Sequence, residues 1–321
     1  MTHLILDSPL GPSLVVACGK VETLIRGDAR GGKMDMLQDI GWILQEEFHH
    51  GGWVIGKPMA GMAKETYVAT HGEAKVFIKF DAAPPALQRL AEMEIAPPLL
   101  RCGQHGDRPY IIQEYVKGTH PDWRWFVAHL PQLATLMGRY HTDVELARIL
   151  SPGTYQPYER HIEHTLDRLG RGLAEARTGP LKTREVEESF HQLEREAERL
   201  QPVTLVPVHL DPSDKNFLIT EHRIYMLDWD DIKLSDPIRD AGLLLWWYVP
   251  TARWHDFFHV YGHPLDEHAL ARLYWWSAAS CLSISFWFDR TGDAAAVGHF
   301  LGDFESALNG KGNPRAPFGR S

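Results

Sequence analysis

The chain has 321 residues, 44% hydrophobic and 23% charged, a composition that suits a soluble globular protein with a substantial core in one large or two medium domains. Its formal net charge of −9 argues against nucleic acid as a partner and is compatible with a cationic substrate. Cys18, Cys102 and Cys281 lie far apart without C-x-x-C spacing, which indicates neither a disulfide framework nor a zinc site and suits a reducing cytoplasm.

The opening MTHLILDSPLGP lacks a basic leading region and its apolar run stops at Asp7, so no secretory signal is expected. Leu14 to Ala17 and Glu22 to Arg26 read as short strands. Met36 to Phe48 has helical spacing at Met36, Ile40, Ile43, Leu44 and Phe48. Gly27 to Lys33 comes close to a phosphate-binding Walker loop, but that loop needs Ser or Thr after the lysine to hold Mg²⁺. Met34 stands there, so the segment reads as a glycine-rich turn. Trp53 to Phe80 follows a strand, loop, strand, turn, strand pattern: Trp53-Val54-Ile55, a loop through Gly56 and Gly61, Tyr67 to Thr70, a turn at His71-Gly72, then Lys75 to Phe80. Pro84-Pro85 is suited to open a helix that Ala86 to Glu94 continues and Pro97-Pro98 ends. Ile95 to Leu100 and Pro109 to Gly118 complete this half of the chain.

Beyond Gly118 the pattern turns helical. Trp125 to Glu145 reads as one core helix with apolar residues at Phe126, Leu130, Leu133, Leu136, Met137 and Tyr140. Two more helices, about 157–177 and 182–200, form a hairpin around Thr178-Gly179-Pro180. His161 and His164 share one helix face, but no third ligand is near in sequence and they read as packing or surface histidines. Val206 and Val208 then lead into His209-Leu210-Asp211, with Asn216 five residues on. Phe217-Leu218-Ile219 and Ile224 to Leu227 flank a turn at Glu221-His222, and Asp228-Trp229-Asp230 sits where the second strand ends. Phosphoryl transfer needs one carboxylate to take the acceptor's proton and oxygen ligands for Mg²⁺, and Asp211, Asn216 and Asp228 supply that set. Taken singly these are ordinary turn residues; their spacing and flanking strands carry the reading. Farther on, the uncharged run Leu273 to Phe288 holds four serines and reads as a buried helix rather than a membrane span. Rings such as Trp275, Trp276, Phe286, Trp287 and Phe288 mostly build core, with some available to line an acceptor pocket. The tail from Asn309 is expected to be loosely ordered.

The H-x-D-x-x-x-x-N spacing, followed by an apolar strand and Asp228, resembles the catalytic segment of kinase-like folds. More narrowly it resembles the aminoglycoside phosphotransferase and choline kinase family, in which the metal Asp is followed by Trp and a second acid and then by D-P-x-x-D, here Asp236-Pro237-Ile238-Arg239-Asp240. A protein kinase would show Lys and Phe where Ser213 and Trp229 stand. The resemblance implies an α+β, bilobal protein-kinase-like fold with a small antiparallel-sheet N-lobe and a larger helical C-lobe. Residues 1–113 would form an extension and the N-lobe, 114–118 the hinge, and 119–321 the C-lobe, with the inserted hairpin at about 157–200 and the catalytic loop at 209–240. A nucleotide would lie between the lobes.

By the same resemblance Asp211 is the catalytic base, and Asn216 and Asp228 bind Mg²⁺. Gly61 and its neighbours would cover the phosphates and Lys79 would contact them, with Glu92 the candidate partner of Lys79; Glu92 also reads as a solvated surface charge. Gln113 would be the gatekeeper, and the Glu114 carbonyl and Val116 N–H would meet the adenine edge. His209 and Asp236 would support the loop structurally, and Asp230 either supports it or takes part. The implied reaction moves the γ-phosphoryl group of ATP, with GTP an open alternative, to a hydroxyl of a small acceptor. A cationic, aminoglycoside-like acceptor comes first, in keeping with Asp214, Asp230, Asp231 and the net charge. Choline, homoserine or a sugar alcohol comes second. A catalytically inactive nucleotide-binding module is the reading from another class, and it would need a broken base or metal ligand, of which there is none. Nucleic acid, membrane and obligate protein partners are not expected.

Overall fold

The computed structural model describes residues 36–58, 65–151, 157–177 and 179–316. The expected strands before residue 27, the Gly27–Lys33 turn and Gly61 lie outside that set. The chain divides into two compact units after Gly118.

In the first unit, helix α1 (Met36–Phe48) precedes strands β1 (Val54–Gly56), β2 (Thr66–His71) and β3 (Ala74–Phe80). Helix α2 (Pro84–Glu92), β4 (Leu99–His105) and β5 (Arg108–Glu114) follow. The strands form one antiparallel sheet in the order β1-β2-β3-β5-β4. Val76, Ile78 and Phe80 alternate onto the face that meets Ile40, Ile43 and Leu44 of α1, together with Tyr67, Ala69, Tyr110 and Ile112. The helical spacing read from Met36 to Phe48 is therefore a buried stripe. Helix α2 starts at Pro84 but stops at Glu92, short of the expected Glu94. Glu94 takes φ 57, and Glu94 N and Ile95 N donate to the carbonyls of Ala91 (2.9 Å) and Leu90 (2.9 Å). That paired pattern closes a helix end before either following proline is reached.

The second unit holds α3 (Trp123–Ala128), α4 (Leu130–His141), α5 (Val144–Leu150), α6 (Tyr158–Ala174) and α7 (Arg184–Ala197). Next come β6 (Val206–Val208), β7 (Phe217–Ile219), β8 (Ile224–Met226) and β9 (Lys233–Ser235). It ends with α8 (Ile238–Tyr248), α9 (Trp254–Tyr261), α10 (Glu267–Thr291) and α11 (Ala294–Leu308). β6 pairs with β9 and β7 with β8, all antiparallel. The single helix expected from Trp125 to Glu145 is three. His129 leaves helical backbone at φ −119, and Pro131, which lacks an N–H and would clash with the preceding turn, sits at the start of α4. Asp143 then caps α5, its Oδ1 accepting from Leu146 N at 2.7 Å. The apolar stripe runs through the break at His129 because Phe126, Leu130 and Met137 all reach buried positions.

Helix α10 packs against α6, α7, α8 and α11. It carries the uncharged run Leu273–Phe288, most of it buried, as a core helix. Among the described residues no helix is long and apolar enough to cross a membrane. The cysteine reading needs correction: Cys281 is a free, buried thiol, but Cys102 is disulfide-bonded, so cysteine usage carries no argument about compartment.

A loosely ordered tail from Asn309 is also overturned, as far as Ala316. Trp246 Nε1 donates to Lys311 O at 2.9 Å, and the Arg315 guanidinium pairs with the fully buried Asp303 and lies 4.6 Å from the Phe300 ring. A buried carboxylate needs its counter-charge, and that need holds the tail down. Replacing Arg315 by Ala should cost about 2 kcal/mol in urea unfolding. That is below the roughly 3–5 kcal/mol of a fully buried pair, because the Arg315 side chain is 31% exposed. An unchanged unfolding midpoint would show the tail contributes nothing to the fold.

Candidate active site

The loop after β6 is fixed from behind by one carboxylate. Val208 pairs with Lys233 across the β6–β9 ladder, and the chain then turns through Leu210 at φ 76, a conformation that a branched, non-glycine residue adopts only under constraint. Asp240, fully buried at the start of α8, supplies the constraint. Its Oδ2 accepts from His209 N (2.7 Å) and Tyr140 OH (2.7 Å) and faces His141 Nε2 at 3.3 Å, while Oδ1 accepts from Leu210 N (2.8 Å). Burial alone would raise its pKa. The hydrogen bond and charge of His141, with those of His209, outweigh burial and leave it below the ordinary carboxylate value.

His209 continues the chain of contacts. Its Nε2 donates to Leu227 O at 2.6 Å and its Nδ1 faces Asp211 N at 3.2 Å. The Trp229 ring stands edge-on to His209 (4.5 Å) and Tyr140 (5.1 Å), and its Nε1 donates to Met226 O at 2.9 Å. The imidazole is thus walled on one side and bonded at both nitrogens.

Asp211 and Asn216 meet directly. Asn216 Nδ2 donates to both Asp211 O and Asp211 Oδ2, each at 2.9 Å. Both amide hydrogens are used, which leaves Oδ1 as the atom a cation would take. Register does the rest: Phe217 pairs with Met226, and Leu227 N donates to Asn216 O at 2.8 Å. Asn216 therefore stands opposite the residue before Asp228, which is exposed at φ 61 and ψ 55. Asp tolerates that left-handed backbone better than most side chains. One carboxylate and one amide oxygen suit a Mg²⁺ ion that draws its other oxygens from phosphates and water. Among the described residues, no three His, Cys, Asp or Glu side chains cluster to hold a metal by themselves.

Asp211 is exposed, and its pKa is raised. Desolvation is the largest cause and the charge of Asp228 adds to it, while His209, Ser213 and Asn216 draw it down. Asp236 is fully buried. Its Oδ1 accepts from Ile238 N (2.9 Å), and its Oδ2 accepts from Tyr158 OH (2.9 Å) and Trp276 Nε1 (3.1 Å) beside Arg272. Asp230 lies half-buried in the short turn Trp229–Asp231.

The remaining sequence candidates belong to the first unit. Lys79 is buried near the end of β3, paired in register with Ile111 and Thr66. Glu92 is 43% exposed and accepts from Arg89 and Gln88 of its own helix. Gln113 is buried, with Nε2 donating to Pro97 O at 3.0 Å. Glu114 N donates to Pro98 O at 2.9 Å, and Val116 follows in the connector. Sequence reasoning missed Asp240 as the anchor of the loop, along with Tyr140 and His141 that face it. The signal available was the adjacent Tyr-His pair ending an apolar helix stripe, together with the second acid of D-P-x-x-D.

The family model described as phosphotransferase enzyme family matches residues 61–276. Among solved structures, the chain is similar to a choline kinase from Streptococcus pneumoniae (TM-score 0.65, 14% identity, covering 86% of this chain and 98% of that one). It is also similar to a thermostable mutant of aminoglycoside phosphotransferase APH(4)-Ia in ternary complex with ADP and hygromycin B (TM-score 0.58, 14% identity, 85% and 98% covered). A third is the GDP complex of aminoglycoside 2'-phosphotransferase-IIIa (TM-score 0.60, 15% identity, 85% and 98% covered). At these identities the likeness shows the fold, which is kinase-like, α+β, with a five-stranded antiparallel sheet and a mostly helical remainder.

The Asp240 network has a measurable pH signature. A native carboxyl held below the unfolded value of about 3.9 contributes stability that is present above that value and is lost as pH falls through the native one. Asp240→Asn should cost about 2–4 kcal/mol at pH 7, since at least one of its buried donors loses its acceptor, and should flatten the fall in stability below about pH 4. Urea unfolding at pH 7 and pH 3 checks both; parallel wild-type and variant curves would remove Asp240 from its anchoring role.

Proposed function

The chain belongs to the phosphotransferase enzyme family, and from that premise we propose that it is a small-molecule kinase moving the γ-phosphoryl group of ATP to an alcohol hydroxyl. The observation that carries the reading is the Asp211–Asn216 pair held beside Asp228, with the loop pinned at His209 and Leu210 by Asp240. In the proposed reaction the acceptor O–H donates to Asp211 and its proton passes to that carboxylate. The hydroxyl oxygen bonds to the γ-phosphorus, the bond from phosphorus to the β,γ-bridging oxygen breaks, and its electron pair leaves with ADP. A raised Asp211 pKa favours this, because a base accepts a proton more readily as its pKa nears the working pH. Asn216 Oδ1 and Asp228 would hold Mg²⁺, whose part is to neutralise phosphate charge.

Lys79 is assigned to the phosphates, Gly61 and its neighbours to covering them, and the Glu114 carbonyl and Val116 N–H to the base. Backbone groups of this kind could be presented to adenine or guanine, so competition between ATP and GTP decides the donor. Glu92, engaged by Arg89 and Gln88, is given no role toward Lys79. His209, Asp230 and Asp236 support the loop and turn rather than react. The inactive-module reading finds no broken base or metal position to rest on. Asp214, Asp230, Asp231 and the net charge of −9 favour a cationic, aminoglycoside-like acceptor, with choline, homoserine or a sugar alcohol second.

Replacing Asp211 by Ala should lower kcat by about 10²–10⁴, the usual worth of a positioned base, with MgATP binding retained. Asp228→Ala should instead weaken the Mg²⁺-dependent part of ATP affinity. Full turnover in the first variant, or equal affinity changes with and without Mg²⁺ in the second, would reassign these residues.

A further inference from the structure

The short turn Asp214–Asn216 presents Asn216 to Asp211, and the far end of α8 holds that turn in place. Tyr248 is the last residue of α8, and its hydroxyl meets residue 214 twice. Asp214 N donates to the phenol oxygen at 3.2 Å, and the phenol O–H donates to Asp214 Oδ1, also at 3.2 Å. One hydroxyl carries a single hydrogen and two lone pairs, so it can make both bonds at once. Within the turn, Asn216 N donates to Ser213 O at 2.9 Å and Lys215 N to Asp214 Oδ1 at 3.0 Å. The leading N–H of a helical turn finds no acceptor inside it, and for Asp214 the phenol oxygen is that acceptor.

The ring that carries this hydroxyl is itself fixed. It lies 4.9 Å from the ring of Phe126 in α3, and Phe126 stands edge-on to Phe217 at 5.3 Å. Phe126 and Phe217 are fully buried, and Phe217 follows Asn216 directly as the first residue of β7. The contacts therefore close a circuit, from Asp214 through Tyr248 and Phe126 to Phe217 and back along the chain. Of the two residues it encloses, Lys215 is exposed, whereas Asn216 is buried with its amide on Asp211. Helix α8 thus grips the loop at two places. Asp240, in its first turn, takes His209 N and Leu210 N, and Tyr248, eight residues on, takes Asp214 N. Those grips are about 12 Å apart along the helix, and Asp211 lies between them in the chain. Burial, with the charges of Asp214 and Asp211 adding to it and the Asp214 N–H opposing, holds the phenol above its ordinary pKa, so it stays a donor at neutral pH.

We propose that Tyr248 is a positioning residue of this site: through residue 214 its hydroxyl fixes the turn that sets the Asn216 amide against Asp211, and so readies Asn216 Oδ1 for the Mg²⁺ of MgATP. The role rests on the kinase reading for the part that concerns Mg²⁺ and turnover, while the hold on the turn stands on the contacts alone. Tyr248 acts through the backbone and carboxylate of Asp214 and is given no contact with nucleotide or acceptor. At 3.2 Å both of its hydrogen bonds are long for a hydroxyl, which keeps the expected effect modest.

Amide hydrogen exchange of the metal-free full chain reads the turn directly. Tyr248→Phe keeps the ring on Phe126 and loses only the hydroxyl. In that variant the amides of the 214–216 turn should exchange about three- to tenfold faster, the worth of one modest hydrogen bond, with those of α3 and α8 as in the wild type. Calorimetric titration with ATP should show the Mg²⁺-dependent part of the affinity weakened by a similar factor and the Mg²⁺-free part unchanged. Because both contacts run to residue 214, the losses in Tyr248→Phe and Asp214→Ala should overlap, and the double variant should show less than their product. A residue that only packs would lower the unfolding midpoint and leave both readouts alone. Unchanged exchange at 214–216, equal loss of ATP affinity with and without Mg²⁺, or independent effects in the double variant would overturn the proposal. ADP release with an aminoglycoside, choline and homoserine separates it from the kinase reading. Wild-type turnover whose kcat falls in Tyr248→Phe at constant acceptor KM supports both, and turnover that the variant leaves unchanged sinks the positioning role while the kinase stands. Faster exchange and weaker Mg²⁺-dependent affinity with no ADP from any acceptor counts against the kinase and leaves the positioning role.

Discussion

A carboxylate removed from water must find its hydrogen-bond donors inside the fold, and in this molecule Asp240 finds them in the backbone of the loop that carries Asp211. The donors are His209 N and Leu210 N on one side and the Tyr140 hydroxyl and His141 ring of α4 on the other. The exchange works in both directions. The loop N–H groups stabilise the buried charge, and the charge holds Leu210 in a left-handed backbone that it would otherwise leave. Because α4 and α8 are both core helices, the position of Asp211 is set by packed elements rather than by the loop's own flexibility.

From that anchor the geometry propagates by short steps. His209 links the loop to the end of β8 through Leu227 O, Trp229 walls its ring, and the β7–β8 register sets Asn216 opposite Leu227. A one-residue slip in that hairpin would turn every side chain to the opposite face and separate Asn216 from Asp211 and Asp228. A hairpin of three-residue strands is weak by itself. Buried Phe217 and Met226 and the bridge between Thr119 and Ile219 give it the support it needs.

Net charge and site charge are separate quantities in this protein. The excess of acids is spread widely, and many of those acids are paired with neighbours one turn away on exposed helices, as Glu145 is with Arg148 and Glu188 with Arg184. The cavity between α6 and α10, by contrast, is lined by Arg168, Arg171 and Arg290 beside the acid Glu175. A whole-chain sum informs about solubility and long-range attraction, whereas recognition at close range depends on which charges lack partners.

The sequence by itself determined the kinase-like α+β class, the spacing of His209, Asp211, Asn216 and Asp228 along one loop and hairpin, and the elements whose periodicity is uninterrupted: α1, the strand pattern from Trp53 to Phe80, the β7–β8 hairpin and the buried run in α10. These are local properties, since a turn signal or an apolar stripe is complete within a few residues. Tertiary structure alone decided the rest. The stripe from Phe126 to Tyr140 records burial and not continuity, so it hid the break at His129. Arg315 looked like part of a polar tail until Asp303 was found buried beneath it. Tyr140 and Asp240 are 100 positions apart, and Arg168 and Ser283 are 115. Which buried acid meets which donor, and which cations share a groove, are fixed by the packing of distant elements, and periodicity within one element carries no information about its partner.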